Sequence, residues 1–432
     1  MLSWTSIVRL GLVQMGLGAV VVLMTSTLNR LMVVELALPA VLPGLLVGLH
    51  YGIQITRPNW GYRSDTQANR TGWIIGGMAI LAAGGVLAAL SVIALQASFL
   101  PGLALSVAAY ALIGIGVGAA GTSVLALLAA GTLPRRRAAA ATITWLMMIA
   151  GIALTAGIAG GFLDPYTPAR LIRVVAVVCA GAFALTLLAI AGIERGIPRA
   201  RPERSVPFRH GLAEVWAEPR ARAFTLFVFL SMTAYFMQEL ILEPYAGLVF
   251  GLTPGQTTQL SGAQNGGVFL GMLAVGIAAT GFGVGTLRAW VIAGCVGSAA
   301  SLAALAFIGQ AGLPLILPAT VALGLFNGMF AVAAIGAMMA LAGQGRGARE
   351  GTRMGLWGAS QAVAAGAGGL AGAAAADLLR QATDDATAFG AVFLAEAGLF
   401  LAAALMGSAS SACRWRVSRA PRQPCSSATL RC

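Results

Sequence analysis

The chain has 432 residues, of which 58% are apolar and only 9% are charged. A soluble domain carries about a quarter charged residues, so this composition excludes an ordinary water-facing surface over most of the chain. The formal net charge of +13 comes entirely from arginine, because the sequence contains no lysine. The arginines lie in the gaps between apolar runs, which favours membrane topology over nucleic-acid binding as the reason for the basic charge.

Apolar runs of roughly 20 residues, the length that crosses a bilayer as a helix, recur along the chain. They predict an all-α membrane protein with twelve transmembrane helices in two six-helix bundles. The first bundle is expected within residues 1–193, with helices at about 7–28, 36–56, 72–95, 101–130, 139–162 and 171–193. The second is expected within residues 223–410, with helices at about 223–246, 258–281, 287–308, 313–342, 355–377 and 387–408.

Two polar segments complete this division of the chain. Residues 194–222 contain four prolines and seven arginines, which indicates a basic cytoplasmic linker between the bundles. Residues 411–432 are rich in arginine and hydroxyl side chains, and we expect a disordered, dispensable cytoplasmic tail.

The arginines also orient the predicted helices. With the N-terminus inside, 23 arginines fall on the cytoplasmic side and 4 on the outer side, namely Arg30, Arg170, Arg173 and Arg380. Cytoplasmic loops of membrane proteins are enriched in positive charge. The asymmetry therefore predicts that both termini are cytoplasmic. It also supports the number of helices, because one missed helix would move the later loops to the other side and remove the asymmetry.

Motifs of enzymes and metal sites are absent from the sequence. There is no CxxC or HExxH pattern, no aspartate-rich magnesium cluster and no phosphate-binding loop ending in lysine. We therefore predict no catalytic residue and no metal ligand.

The loop after the second predicted helix resembles a motif of the major facilitator superfamily. Gly61, Asp65 and Arg70 match that motif, whereas Ala68 and Asn69 depart from it. By this resemblance Asp65 would cap a neighbouring helix N-terminus and pair with an arginine, latching the inner gate. The alternative is a polar loop whose arginines only set the topology.

Four further stretches resemble the PucC/LhaA family of purple bacteria and cyanobacteria, a branch of the same superfamily. They are LNRLMVVEL at 28–36, LHY at 49–51, RPNWG at 57–61 and MQELILEPYAG at 237–247. The resemblance covers about residues 1–410 and rests in particular on Asn29, Glu35, Gln238, Pro244 and Tyr245. It implies two six-helix bundles of the major facilitator type, in a bacterial inner, photosynthetic intracytoplasmic membrane.

Charged residues near the predicted outer mouth suggest a contact between the bundles. Arg30 ends the first predicted helix, and Glu239 and Glu243 share a face near the end of the seventh. We therefore predict an ion pair of Arg30 with these glutamates across the mouth. The alternative is that the charges reach individually to the lipid headgroups. Glu35 is expected at the surface in an outer turn.

Polar residues within the predicted helices are candidates for a pigment site or a central cavity. His50 is the single histidine within a span, and a neutral imidazole is a suitable axial ligand for a chlorin magnesium. Its alternative role is a hydrogen-bonded packing residue. Gln264, Asn265 and Gln361 would line a cavity or form hydrogen bonds between helices, and we favour the second role.

The resemblance implies a non-enzymatic assembly factor for light-harvesting complexes. Bacteriochlorophyll is its possible cargo, and antenna subunits and pigment-synthesis enzymes are its possible partners besides the lipid bilayer. Two alternatives stay open, a major facilitator transporter of an apolar solute and a subunit of an enzyme of bacteriochlorophyll synthesis.

Overall fold

A computed structural model describes residues 2–57, 60, 70–133, 136–193, 216–342 and 350–409. These residues form helices joined by short turns, and the described part contains no strand, so the all-α class is confirmed. The first six helices are α1 (Trp4–Val22), α2 (Val41–Ile53), α3 (Arg70–Ala97), α4 (Phe99–Gly131), α5 (Arg137–Leu163) and α6 (Pro168–Ile190). The second six are α7 (Pro219–Phe250), α8 (Pro254–Gly276), α9 (Leu287–Ala311), α10 (Ile316–Ala342), α11 (Glu350–Arg380) and α12 (Asp385–Ala409).

Two of these helices continue in π-helical turns. α1 runs on through Leu23–Leu28 and Leu31–Glu35, and α8 through Ile277–Gly281. The first span thus reaches Glu35, whereas the sequence pattern ended it near residue 28. Arg30 consequently lies inside a helix rather than at its end.

Within the described residues, eleven helices are long and apolar enough to cross a membrane, and α2 is the short exception. The second predicted helix is present, but its predicted start near residue 36 was wrong, because α2 begins at Val41. Ala37 has a positive φ of 50°, and Pro39 disfavours helical geometry in the residue before it. The 13 residues of α2 span about 20 Å, less than the hydrocarbon core of roughly 30 Å.

Local sequence signals explain where helices begin. Thr253 caps α8 in a capping box with Gln256, and Pro254 occupies the first turn, where a missing N–H is harmless. Thr167 caps α6 by accepting a hydrogen bond from the N–H of Arg170, and Pro168 occupies the first turn of that helix, without a capping box. Short connections follow most helices, so successive helices run antiparallel.

Each group of six helices encloses its own apolar core. Leu10, Met78 and Tyr110 are fully buried in the core of α1–α6, and Phe330 and Phe400 are fully buried in the core of α7–α12. We call these groups the N-terminal half and the C-terminal half. Small residues bring the helices close within each half, as on α3, where a Cβ on Gly77 would lie 2.5 Å from the backbone nitrogen of Ala120.

The halves pack against each other through α5 with α8 and α2 with α11. A Cβ on Gly160 of α5 would lie 2.6 Å from the carbonyl oxygen of Gly255 on α8, so the two backbones touch there. We use "outer end" for the end of the bundle where α1, α5, α7 and α11 finish and α2, α6, α8 and α12 begin.

Several predictions concern segments outside the described residues. These are residues 61–69, 194–215 and 410–432, which include Gly61, Asp65, most of the predicted linker and the predicted tail. The last residues of the predicted linker belong to α7, which begins at Pro219.

Candidate functional site

A polar cluster joins the two halves near the outer end, where α1 passes α7 and α8. We call it the mouth cluster, and its members are Thr25, Ser26, Thr27, Asn29, Arg30, Glu239, Glu243 and Thr258. The Ser26 hydroxyl donates to Oε1 of Glu243, which is only 2% exposed. Thr27 and Thr258 join their hydroxyls at 3.1 Å. Because these bonds cross between the halves, the cluster is a structural junction as well as a candidate site.

The helix geometry explains how α1 presents this row of side chains. Its π-helical turns are the kind of local widening that often occurs at functional sites. Ser26 meets Glu243, and four residues later Arg30 meets Gly247, so α1 and α7 run side by side in the same direction. A Cβ on Gly247 would lie 3.3 Å from two guanidinium nitrogens of Arg30. The glycine therefore makes room for the guanidinium between the helices.

Asn29 completes a hydrogen bond that α7 cannot make by itself. Pro244 lies inside α7 and has no N–H, so the carbonyl of Leu240, four residues earlier, loses its usual helical donor. The amide nitrogen of Asn29 donates to that carbonyl at 2.7 Å. A proline is tolerated in a membrane helix when a neighbouring helix satisfies the freed carbonyl in this way. Asn29 and Pro244, both singled out by the family resemblance, thus act on the same carbonyl: the proline leaves it without a donor and the asparagine supplies one.

The prediction that Arg30 forms an ion pair with Glu239 or Glu243 is wrong, because the acidic partner of Arg30 in the structure is Glu35. Arg30 donates through Nη1 to Glu35 and through Nη2 to the carbonyl of Leu252, at 2.8 Å for the second bond. α1 continues beyond Arg30, which brings Glu35 within reach, while Glu243 is held by Ser26. Arg30 is only 3% exposed, so it does not extend to the headgroups either.

Glu35 itself is exposed at the end of α1. It lies near Tyr166 in the loop between α5 and α6. Burial and then the Glu35 carboxylate raise the pKa of the Tyr166 hydroxyl. The Arg30–Glu35 pair therefore belongs to a wider polar surface at the outer end.

Several buried polar atoms in and beside the mouth cluster have no hydrogen-bond partner among the described residues. They are Asn29 Oδ1, Arg30 Nε, Gln238 Oε1 and Glu243 Oε2. A buried polar atom without a partner costs about 1–3 kcal/mol, so each of these atoms calls for a physical explanation. The group combines one donor with three acceptors and is suited to binding water or a polar ligand group.

A second cluster, of aromatic rings, lies where α2 of the N-terminal half meets α7. We call it the aromatic cluster, and its members are His50, Tyr51, Tyr235 and Phe236. The Tyr51 ring lies 5.7 Å from Phe236 and 5.0 Å from His50, and Tyr235 lies 5.2 Å from Phe236. Tyr51 and Tyr235 are near the carboxylate of half-buried Glu239, which links this cluster to the mouth cluster.

His50 engages one ring nitrogen with a neighbouring amide, whereas its Nδ1 has no hydrogen-bond partner among the described residues. It is 1% exposed, and its Nε2 lies 2.7 Å from the side-chain nitrogen of Gln54. The amide can donate to that nitrogen, which then has no lone pair left for magnesium. In this arrangement the proton of the neutral ring lies on Nδ1, so axial ligation would require the contact with Gln54 to rearrange, and the role of His50 as a ligand stays a prediction.

The remaining residues predicted for a site or for the loop motif lie outside the two clusters. Asn265 donates to the carbonyl of Ser261 on its own helix at 3.0 Å, so the expectation of a hydrogen bond between helices is wrong for it. Gln264 on α8 and Gln361 on α11 are half-buried. Arg70 is buried at the first residue of α3, and the loop latch proposed for it lies outside the described residues.

Tyr245 anchors α7 inside the C-terminal half. Its hydroxyl donates to the carbonyl of Leu305 on α9 at 2.6 Å. A Cβ on Gly309 would lie 2.2 Å from that hydroxyl, so the glycine is required for the contact. Tyr245 and Asn29 hold opposite sides of the same stretch of α7.

Sequence reasoning missed two acidic residues that connect the halves at the outer end. Asp164 after α5 accepts hydrogen bonds from the start of α8, and Asp377 in α11 accepts them from the start of α2. The sequence feature that could have identified them is their position, because each lies at the end of the fifth helix of its own half.

Comparison with known proteins agrees with this architecture. A family model described as "PUCC protein" matches residues 27–411. The chain belongs to the PucC family. It is 64% identical over 414 residues to the "Bacteriochlorophyll synthase 44.5 kDa chain" of Rhodobacter capsulatus, covering 96% of this chain and 97% of that relative. It is 30% identical over 421 residues to "Protein PucC" of Cereibacter sphaeroides, covering 91% and 90%.

Solved structures of membrane transporters share this fold. A bacterial homologue of the human lysosomal transporter Spinster, in an inward-facing and unoccupied conformation, superimposes with a TM-score of 0.68. The match covers 93% of this chain and 95% of that one at 16% identity. An identity this low shows the fold alone, and it confirms the major facilitator architecture expected from the sequence.

Proposed function

We propose that this PucC-family protein is a non-enzymatic assembly factor for light-harvesting complexes that binds bacteriochlorophyll or passes it to antenna subunits. The observation that carries the link to bacteriochlorophyll is the 64% identity, over nearly the whole chain, to a relative named as a chain of bacteriochlorophyll synthase. That name fits an assembly factor and an enzyme subunit alike, and the choice of a non-enzymatic role rests on the arrangement of the buried acids. Two relatives named PucC match 91% and 84% of this chain at identities of 30% and 29%.

The arrangement of the buried acids supports a binding protein over an enzyme. The described residues contain no group of three or more histidine, cysteine, aspartate or glutamate side chains suited to a metal ion. Glu243 is engaged by Ser26, and Glu239 stands beside aromatic side chains and Thr25. These contacts hold helices together and do not assemble a magnesium site of the kind that prenyl or phosphoryl transfer uses.

The aromatic cluster is the place where we expect an apolar ring system to contact the protein. It lies between the halves, where major facilitator proteins hold their ligands. The faces and edges of Tyr51 and Phe236 provide the stacking contacts that flat conjugated molecules use. Such contact needs no ligand to the pigment magnesium, which agrees with the enclosed position of His50.

We further propose a bacterial inner-membrane location with both termini in the cytoplasm, supported by the distribution of arginines. Antenna subunits and pigment-synthesis enzymes would then meet the protein within the same membrane.

The test is an absorption spectrum of the full chain purified in mild detergent from a pigment-producing host. The proposal predicts bound bacteriochlorophyll or a co-purifying antenna subunit. Phe236→Ala should reduce the bound pigment, whereas Phe307→Ala, at an exposed position on α9, should not. Colourless protein that moves a solute in vesicles would instead support the transporter alternative, and turnover by purified protein would support the enzyme alternative.

A further inference from the structure

A carboxylate of the N-terminal half caps a helix of the C-terminal half at the outer end. Asp164, directly after α5, accepts a hydrogen bond at 2.5 Å from the hydroxyl of Thr253 and one at 3.1 Å from the backbone N–H of Gly255. These residues form the start of α8, where unpaired N–H groups and the helix dipole favour a negative charge. α5 and α8 are thereby joined at their outer ends.

A second carboxylate makes the reciprocal contact. Asp377, in the last turn of α11, accepts hydrogen bonds from the backbone N–H groups of Ala40 at 2.9 Å and Val41 at 2.7 Å. These two residues begin α2, whose own N-cap residue provides no side-chain cap. The C-terminal half thus supplies the cap that a helix of the N-terminal half lacks.

The two contacts occupy corresponding positions in the two halves. α5 and α11 are the fifth helices of their halves, and α8 and α2 are the second helices. Each half therefore presents an acid from its fifth helix to the second helix of the other half. Repeated halves related by a pseudo-two-fold axis are common in transporters of this architecture.

Arginines on the same side support both acids. Arg170 donates to the carbonyls of Asp164 and Pro165, and Arg380 lies 3.9 Å from Asp377 and bonds to Asp385. Together with Arg30, they are three of the four arginines that the sequence places on the outer side. Their local contacts explain why positive charge is retained on a face where it is otherwise scarce.

We infer that Asp164 and Asp377 form a paired clasp that holds the outer end of the bundle closed, so that the halves separate at the opposite end. Each acid bridges one of the two interfaces between the halves, and neither bridges both. Loss of one cap should therefore favour opening by roughly tenfold, and loss of both by roughly a hundredfold. This inference concerns the movement of the halves and does not depend on the identity of any ligand.

The experiment measures the distance across the outer end by spin-label spectroscopy. Labels at Ala169 of α6 and Ala311 of α9 occupy exposed positions on opposite halves, in a background with the five native cysteines replaced. Wild-type protein should give a narrow distribution. Asp164→Ala and Asp377→Ala should each add a small population at longer distance, and the double variant should make the longer distance predominant.

Asp384→Ala is the matched control. Asp384 also caps a helix start at the outer end, through the N–H and hydroxyl of Thr387, but both residues belong to the C-terminal half. Its loss should leave the distance unchanged. If the double alanine variant is not folded, the Asp164→Asn and Asp377→Asn pair replaces it, with a smaller shift expected in the same direction. A folded double variant with the wild-type distribution, or an equal shift in Asp384→Ala, would overturn the inference.

Discussion

Asn29 offers the sharpest test of how the two halves are joined. Asn29→Leu keeps approximately the size of the side chain but removes the donor to the Leu240 carbonyl. Since Pro244 has no N–H, α7 cannot satisfy this carbonyl from within, and the oxygen would remain buried without a partner. An unpaired buried group costs about 1–3 kcal/mol, whereas hydrogen bonds between membrane helices average about 0.6 kcal/mol.

We therefore expect Asn29→Leu to lower the free energy of unfolding by about 1.5 kcal/mol, which is roughly tenfold in the folded-to-unfolded ratio. Pro244→Ala restores an N–H that can reach the same carbonyl. In the Pro244→Ala background the asparagine is no longer needed, so the cost of Asn29→Leu should fall by about 1 kcal/mol. The two substitutions should thus be strongly non-additive.

The assay is unfolding of the purified protein in mixed micelles of increasing denaturing detergent, followed by circular dichroism. Asn265→Leu is the control, because the amide of Asn265 bonds to a carbonyl on its own helix that already has a backbone donor. Its effect should be small. Additive costs for Asn29→Leu and Pro244→Ala would refute the view that these residues share one carbonyl.

Three other predictions use the same stability assay. Arg30→Glu and Glu35→Arg should each destabilise the protein and partly rescue each other when combined, whereas Glu243→Arg should not rescue Arg30→Glu, because Arg30 pairs with Glu35. Tyr245→Phe should cost about 1 kcal/mol by removing the hydrogen bond to its carbonyl partner on α9, and an unchanged stability would contradict that role. Glu396→Leu should stabilise the protein, since this fully buried carboxyl has no partner among the described residues, and a loss of stability would reveal an essential contact.

The helices could be predicted because hydropathy and arginine position are properties of the sequence alone. The same signals could not place the start of α2, which depends on the backbone at Ala37 and Pro39. Nor could they show that α1 continues in π-helical turns, which moves Arg30 into the protein and towards Glu35.

The candidate site was predictable in its residues but not in its contacts. Asn29 and Pro244 were recognised through the family resemblance, yet their common carbonyl emerges only when α1 lies beside α7. Asp164 and Asp377 carry no local motif, because their partners are 91 and about 337 residues away along the chain. Contacts of this kind depend on how the halves meet, which periodicity does not encode.

We propose that the protein assembles antenna complexes and does not make pigment. The direct measurement is a deletion strain of a photosynthetic host, scored in whole membranes for each light-harvesting complex and in solvent extracts for bacteriochlorophyll and its precursors. Our account predicts loss of at least one antenna absorption band while bacteriochlorophyll is still made. Accumulation of the immediate precursor with loss of bacteriochlorophyll, or antenna bands of wild-type intensity, would contradict it.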